Sequence, residues 1–148
     1  MMQQQGMGQL DDLYMEIILD HYKSPRNKAD LSHLSDENLH ENPSCGDSIK
    51  LEVLVGDDGR ISSVRFDGHG CAISTASASL MSERFTGKTP DEARELINVF
   101  LNVLRGEEPA EKLVQWGDLA VLGGVVQFPM RVKCATLAWH ALEKALEG

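Results

Sequence analysis

Cysteine is scarce in this chain, three in 148 residues, and no two of them form a Cys-x-x-Cys pair. The small odd count argues against a disulfide framework, and without the pair there is none of the local spacing of zinc fingers or thioredoxin-like sites. Positive charge is also short: 14 Lys and Arg face 23 Asp and Glu, a formal net charge of −9, with the cations scattered along the chain. A protein of that sign does not bind by neutralising phosphates, so DNA and RNA are not expected partners. No apolar run approaches the ~20 residues that span a bilayer. Residues 1–8 have neither the cationic start nor the apolar stretch of a signal peptide. These absences predict a cytoplasmic protein with no membrane partner. There is no internal repeat or low-complexity tract. A hydrophobic content of 42% over 148 residues is enough for one domain with a real core, expected over residues 1–148 with 1–8 as a flexible lead.

The three cysteines that are present stand in distinct settings: Asn42-Pro43-Ser44-Cys45-Gly46-Asp47, Gly68-His69-Gly70-Cys71-Ala72-Ile73-Ser74 and Arg131-Val132-Lys133-Cys134-Ala135. Thiolate is the soft ligand of zinc and iron and also the nucleophile that accepts sulfur, so together they read as one metal-thiolate or sulfur-handling site. Asp47 follows Cys45 by two residues; in extended chain, the period of two turns both side chains to one face, toward one ion. Pro43 and Gly46 fix the approach, although a plain turn has the same composition. Cys71 precedes a run of small residues that reads as a helix start, where free N–H groups and the dipole favour thiolate. Cys134 falls in the first turns of the last helix, with Arg131 and Lys133 close by. Any one of these cysteines alone is equally well a small buried hydrophobe, and spacing does not bring the three segments together. His69, between two glycines, is a further candidate ligand but also suits an ordinary loop. His21, His33, His40 and His140 are weaker candidates.

Apolar residues at three- and four-residue steps, Leu10, Leu13, Tyr14, Ile17, Ile18 and His21, predict an amphipathic helix ending before Pro25. Its stripe is read mainly as core. Residues 27–41 are polar and irregular. Residues 49–55 and 60–66 alternate around Gly56-Asp57-Asp58-Gly59, a hairpin whose ladder would bring Asp47 and Cys45 at its entrance near Cys71 beyond its exit. Helices are predicted over 71–86, 90–104 with Thr89 or its neighbour as cap, 110–116, and 129–146. Strands first and helices afterwards give an α+β domain, a small antiparallel sheet of about three strands with helices packed on one face.

All three cysteine settings, in this order, resemble the IscU-like (NifU N-terminal-like) iron–sulfur cluster assembly family. The likeness extends to Leu13-Tyr14 and to the run from Ile17 through His21-Tyr22-Lys23-Ser24-Pro25-Arg26-Asn27, and covers about residues 10–146. The longer segment Leu122-Gly123-Gly124-Val125-Val126-Gln127-Phe128-Pro129 before the last cysteine is similar to the SufU-type branch. So is Lys133, where IscU-type scaffolds carry a ligand histidine. Ala29 departs from the glycine expected after the Pro-Arg-Asn turn.

The resemblance implies zinc held by Cys45, Asp47, Cys71 and Cys134, with iron or a transient [2Fe–2S] cluster as the alternative cargo. It implies a pyridoxal-phosphate-dependent cysteine desulfurase as partner, docking in part on the N-terminal region. In that scheme one thiolate leaves the metal and attacks the desulfurase persulfide. Cys45 is the expected acceptor, Cys134 the runner-up, and Arg131 the cation that stabilises the exposed anion. Sulfur then passes to downstream iron–sulfur assembly proteins or apoproteins. The competing readings are a scaffold that assembles the cluster on the same ligands and a zinc-stabilised adaptor without sulfur traffic.

Overall fold

A computed structural model of the chain describes residues 2–42 and 46–147, with side chains from residue 12 onward; Pro43, Ser44 and Cys45 fall outside the described residues. Helix α1 (Met2–Lys23) opens ahead of the predicted stripe and ends where Pro25 forbids continuation. Ile18 and His21 are buried beneath it and Tyr14 and Ile17 pack on the core, whereas Leu13, assigned by periodicity to the inner stripe, is exposed. The chain then turns through Asn27 at φ +60°. Ala29, beyond that turn, donates its N–H to the Phe66 carbonyl at 2.9 Å, so the left-handed position falls on asparagine and the missing glycine costs nothing.

The sheet has three antiparallel strands in the order β1 (Leu39–Asn42), β2 (Asp47–Val55) and β3 (Ile61–His69). Strand β1 lies partly in the stretch read as irregular; four mostly polar residues are too few to show a period of two. The β2–β3 hairpin is the predicted one, longer at the end that matters, since its pairing runs on to Ser48 opposite His69. Asp47, Ile49 and Leu51 are buried on one face, against Val64 and Phe66 of β3. On the other face Arg65 donates to Glu52, and Lys50 donates to the Leu34 carbonyl at 3.0 Å.

Helices α2 (Ala72–Ser82), α3 (Pro90–Leu104) and α4 (Pro129–Glu147) follow. Helix α2 stops four residues short of the predicted end because residues 83–88 turn back onto β3, with Gly87 at φ +90° and its N–H donated to the Ile61 carbonyl. Helix α3 has the predicted Thr89 cap as a full capping box with Glu92, and Pro90 at its first position. The stretch predicted as a helix over 110–116 is instead 3₁₀ geometry from Ala110 to Gln127, broken at Trp116–Gly117, where Gly117 takes φ +62°. The core is centred on Trp139, stacked on Phe100 (centroids 3.7 Å apart) and edge-on to Phe85. No described helix is long and apolar enough to cross a membrane.

Candidate metal centre

At one end of the sheet, β2 begins, β3 ends and α2 starts, and the second turn of α4 lies against them. Asp47 occupies the first position of β2 on the core-facing side and is 2% exposed. Cys71 is the N-cap of α2 and half-buried; its amide N–H donates to Asp47 Oδ1 at 2.9 Å. Its carbonyl accepts from the Thr75 N–H (3.1 Å) and from Ser74 Oγ (3.2 Å), which fixes the residue on both sides. Cys134 lies within α4 and is fully buried. Helices α2 and α4 are tied next to it: the Trp139 indole donates to Ser77 Oγ at 3.0 Å, and Ser77 Oγ donates to the carbonyl of Ala135 at 2.5 Å.

A carboxylate oxygen of Asp47 and the thiol sulfurs of Cys71 and Cys134 all lie within 4.8 Å of one another. The two cysteines are not in disulfides. Of the predicted ligand set, these three residues are therefore brought together, while Cys45, the predicted acceptor and fourth ligand, lies outside the described residues. Asp47 Oδ2 is buried without a hydrogen-bond partner. An unpaired buried carboxylate oxygen is costly, and a cation is one remedy. Two sulfurs and one carboxylate oxygen form a donor set that zinc accepts when a fourth ligand completes the tetrahedron, so the residues present fit that ion.

The histidines stand apart from this group. His69 is exposed, with Nδ1 3.4 Å from Ser48 Oγ. His21 bonds Ser79 Oγ at 2.7 Å between α1 and α2, and burial holds its pKa below the usual value. His40 is likewise held low by burial and by Lys144. His33 and His140 lie beside Glu52 and Glu143 on the surface. Arg131 and Lys133 are exposed on the first turns of α4.

Two residues that shape the centre are not evident in the sequence reading. Gly70 leaves room for the Asp47 carboxylate, since a Cβ there would lie 2.5 Å from Oδ1 and closer still to Ser74 Oγ. Its position one residue before a candidate ligand cysteine was the available signal. Asn42 pairs with Asp47 across the β1–β2 ladder; finding it requires the register of a strand that alternation does not reveal.

Residues 13–147 match the family model described as the NifU-like N terminal domain. The chain is 41% identical over 143 residues to the iron-sulfur cluster assembly scaffold protein IscU of Streptococcus pyogenes serotype M1, covering 96% of this chain and 87% of that protein. It is 42% identical over 137 residues to the zinc-dependent sulfurtransferase SufU of Bacillus subtilis strain 168, covering 93% and 91%. Its fold is similar to the crystal structure of a candidate iron–sulfur cluster assembly scaffold protein for the SUF system from Fervidobacterium islandicum AW-1. That match has a TM-score of 0.72 at 38% identity and covers 88% of this chain and 94% of that one.

Proposed function

The chain belongs to the NifU-like N-terminal domain family, and on that footing we propose that it is a zinc-dependent sulfur carrier for iron–sulfur cluster assembly. It takes sulfur from the persulfide of a pyridoxal-phosphate-dependent cysteine desulfurase. Cys45, Asp47, Cys71 and Cys134 hold the zinc. When bound, zinc lowers the pKa of its thiol ligands and so keeps them as thiolates at neutral pH.

The Cys45 thiolate attacks the terminal sulfur of the partner's persulfide. The new bond joins Cys45 Sγ to that sulfur, the partner's S–S bond breaks, and the partner's cysteine leaves as thiolate. One sulfane sulfur has moved, with no net change in oxidation state. Complete burial of Cys134 argues against it as first acceptor. Arg131, one helical turn before Cys134, is the cation that meets the incoming anion at the rim.

The observation that carries this reading is the convergence of Asp47, Cys71 and Cys134, together with the buried, unpaired Oδ2 of Asp47. Structural zinc sites are usually closed by four Cys or Cys and His; a carboxylate in that place suits a site that must exchange a ligand. Lys133 has no imidazole nitrogen to offer, which separates the chain from scaffolds that use a histidine there.

The test is metal analysis of the purified protein, followed by persulfide mapping after incubation with a cysteine desulfurase and cysteine. One zinc per chain with sulfur on Cys45 is the expected result. Iron with acid-labile sulfide would replace this reading with the scaffold, and zinc without persulfide would leave an adaptor. In Asp47→Ala the fold is expected to persist while zinc retention falls.

A further inference from the structure

Among the described residues, two buried side-chain polar atoms have no hydrogen-bond partner: Asp47 Oδ2 and Asn42 Nδ2. The two residues are neighbours by construction. Asn42 and Asp47 are the last pair of the β1–β2 ladder, and directly opposed residues of an antiparallel pair point to one face with Cβ atoms about 4.5–5.5 Å apart. Both are buried, 6% and 2% exposed. One orphan is a donor and the other an acceptor.

A metal ion in the candidate centre would neutralise the Asp47 carboxylate and do nothing for Asn42 Nδ2, because an amide N–H is repelled by a cation. A hydrogen bond between the two orphans would satisfy both. Asp47 Oδ1 is already held by the Cys71 amide, so it serves as an anchor about which the carboxylate can turn.

We propose that Asn42 is a positioning residue that receives the Asp47 carboxylate when it turns away from the thiols. Asp47 then has two stations: the carboxylate turned toward Cys71 and Cys134, one of its oxygens within 4.8 Å of both sulfurs, or Oδ2 on Asn42 Nδ2. The first station rests on the zinc reading above; the second does not. The consequence is a site that can open without stranding a buried charge, which is otherwise the dominant penalty for removing a carboxylate from its cation.

Two measurements test this. In zinc-loaded protein, Asn42→Ala removes the second station, so zinc release to a chelator should slow roughly tenfold and binding should tighten, a hydrogen bond to a charged group being lost from the open state. A purely structural role predicts the opposite, a loosened site and faster release, and that result or an unchanged rate would overturn the proposal. In metal-free protein, thermal midpoints of wild type, Asn42→Ala, Asp47→Ala and the double variant should be non-additive. Additive midpoints would overturn the Asn42–Asp47 bond whatever metal the protein holds, whereas failure of the wild type to bind zinc would sink only the zinc reading. Should Asn42→Ala not fold, the Asn42 side-chain amide signals of the wild type, followed by NMR as zinc is removed, must shift; unmoved signals would refute the second station.

Discussion

At Gly70 a methyl group would sit 2.5 Å from Asp47 Oδ1 and closer still to Ser74 Oγ, and Oδ1 is the oxygen held in place by the Cys71 amide, the one about which the carboxylate turns. Gly70→Ala is therefore expected to push Asp47 out of its place, at about 1–3 kcal/mol of stability, the usual cost of overpacking. The metal site should suffer more than the fold. Competition with a chromophoric chelator should show zinc affinity reduced at least roughly tenfold, as the misplacement of one charged ligand implies. Undiminished affinity would mean that the centre does not depend on where Asp47 stands. At this scale the sequence is legible where chemistry is rare: Cys71, Cys134 and Asp47 announce themselves by residue type and neighbours. Gly70 and Asn42 do not, because their roles are a clearance and a cross-strand pairing, which exist only once the chain has folded.

Helices α1 and α2 are joined by a polar contact, His21 Nδ1 to Ser79 Oγ, with the Arg26 N–H also donating to that oxygen at 2.8 Å. Burial is the main cause that lowers the His21 pKa, with the nearby Arg26 adding to it and Glu83 opposing. The folded value thus lies below the unfolded value of about 6.5. The unfolded chain then binds more protons between the two values, so the neutral histidine's contribution is complete above about pH 6.5 and is lost as pH falls below it. His40, also held low by burial, acts in the same direction. Thermal midpoints measured from pH 7.5 to 5 should fall on the acid side, and His21→Asn should flatten that slope; an equal slope in the variant would assign the effect elsewhere. Other elements were legible in proportion to their periodicity. The hairpin stood out by alternation and α3 by its cap at Thr89 or its neighbour, whose box with Glu92 only the structure shows. The 3₁₀ stretch over 110–127 did not, because its turns are set by tertiary packing and by Gly117 at positive φ.

Across the whole molecule most of the apolar core lies away from the candidate metal centre, which touches it at buried Cys134. Among the described residues the connected cluster of buried apolar side chains runs from Ile18 to Leu146 and draws on helices α1 to α4 and on strands β2 and β3. Its largest members, Trp139, Phe85 and Phe100, are fully buried and pack ring against ring. Small zinc domains that fold only with metal lack such a core, and there the binding energy is the folding energy. Here it is an addition. Chelation of zinc should leave the far-ultraviolet circular dichroism and a cooperative thermal transition in place. The midpoint should drop by the linkage amount, about 2.7 kcal/mol for free zinc at a hundred times its Kd, or roughly 5–10 °C for a chain of this size. A sulfur carrier requires this behaviour, since its domain must stay folded while the metal site is open to a partner. Collapse of the domain on chelation would show instead that the ion is structural, and with it the case for ligand exchange at Asp47 would fall.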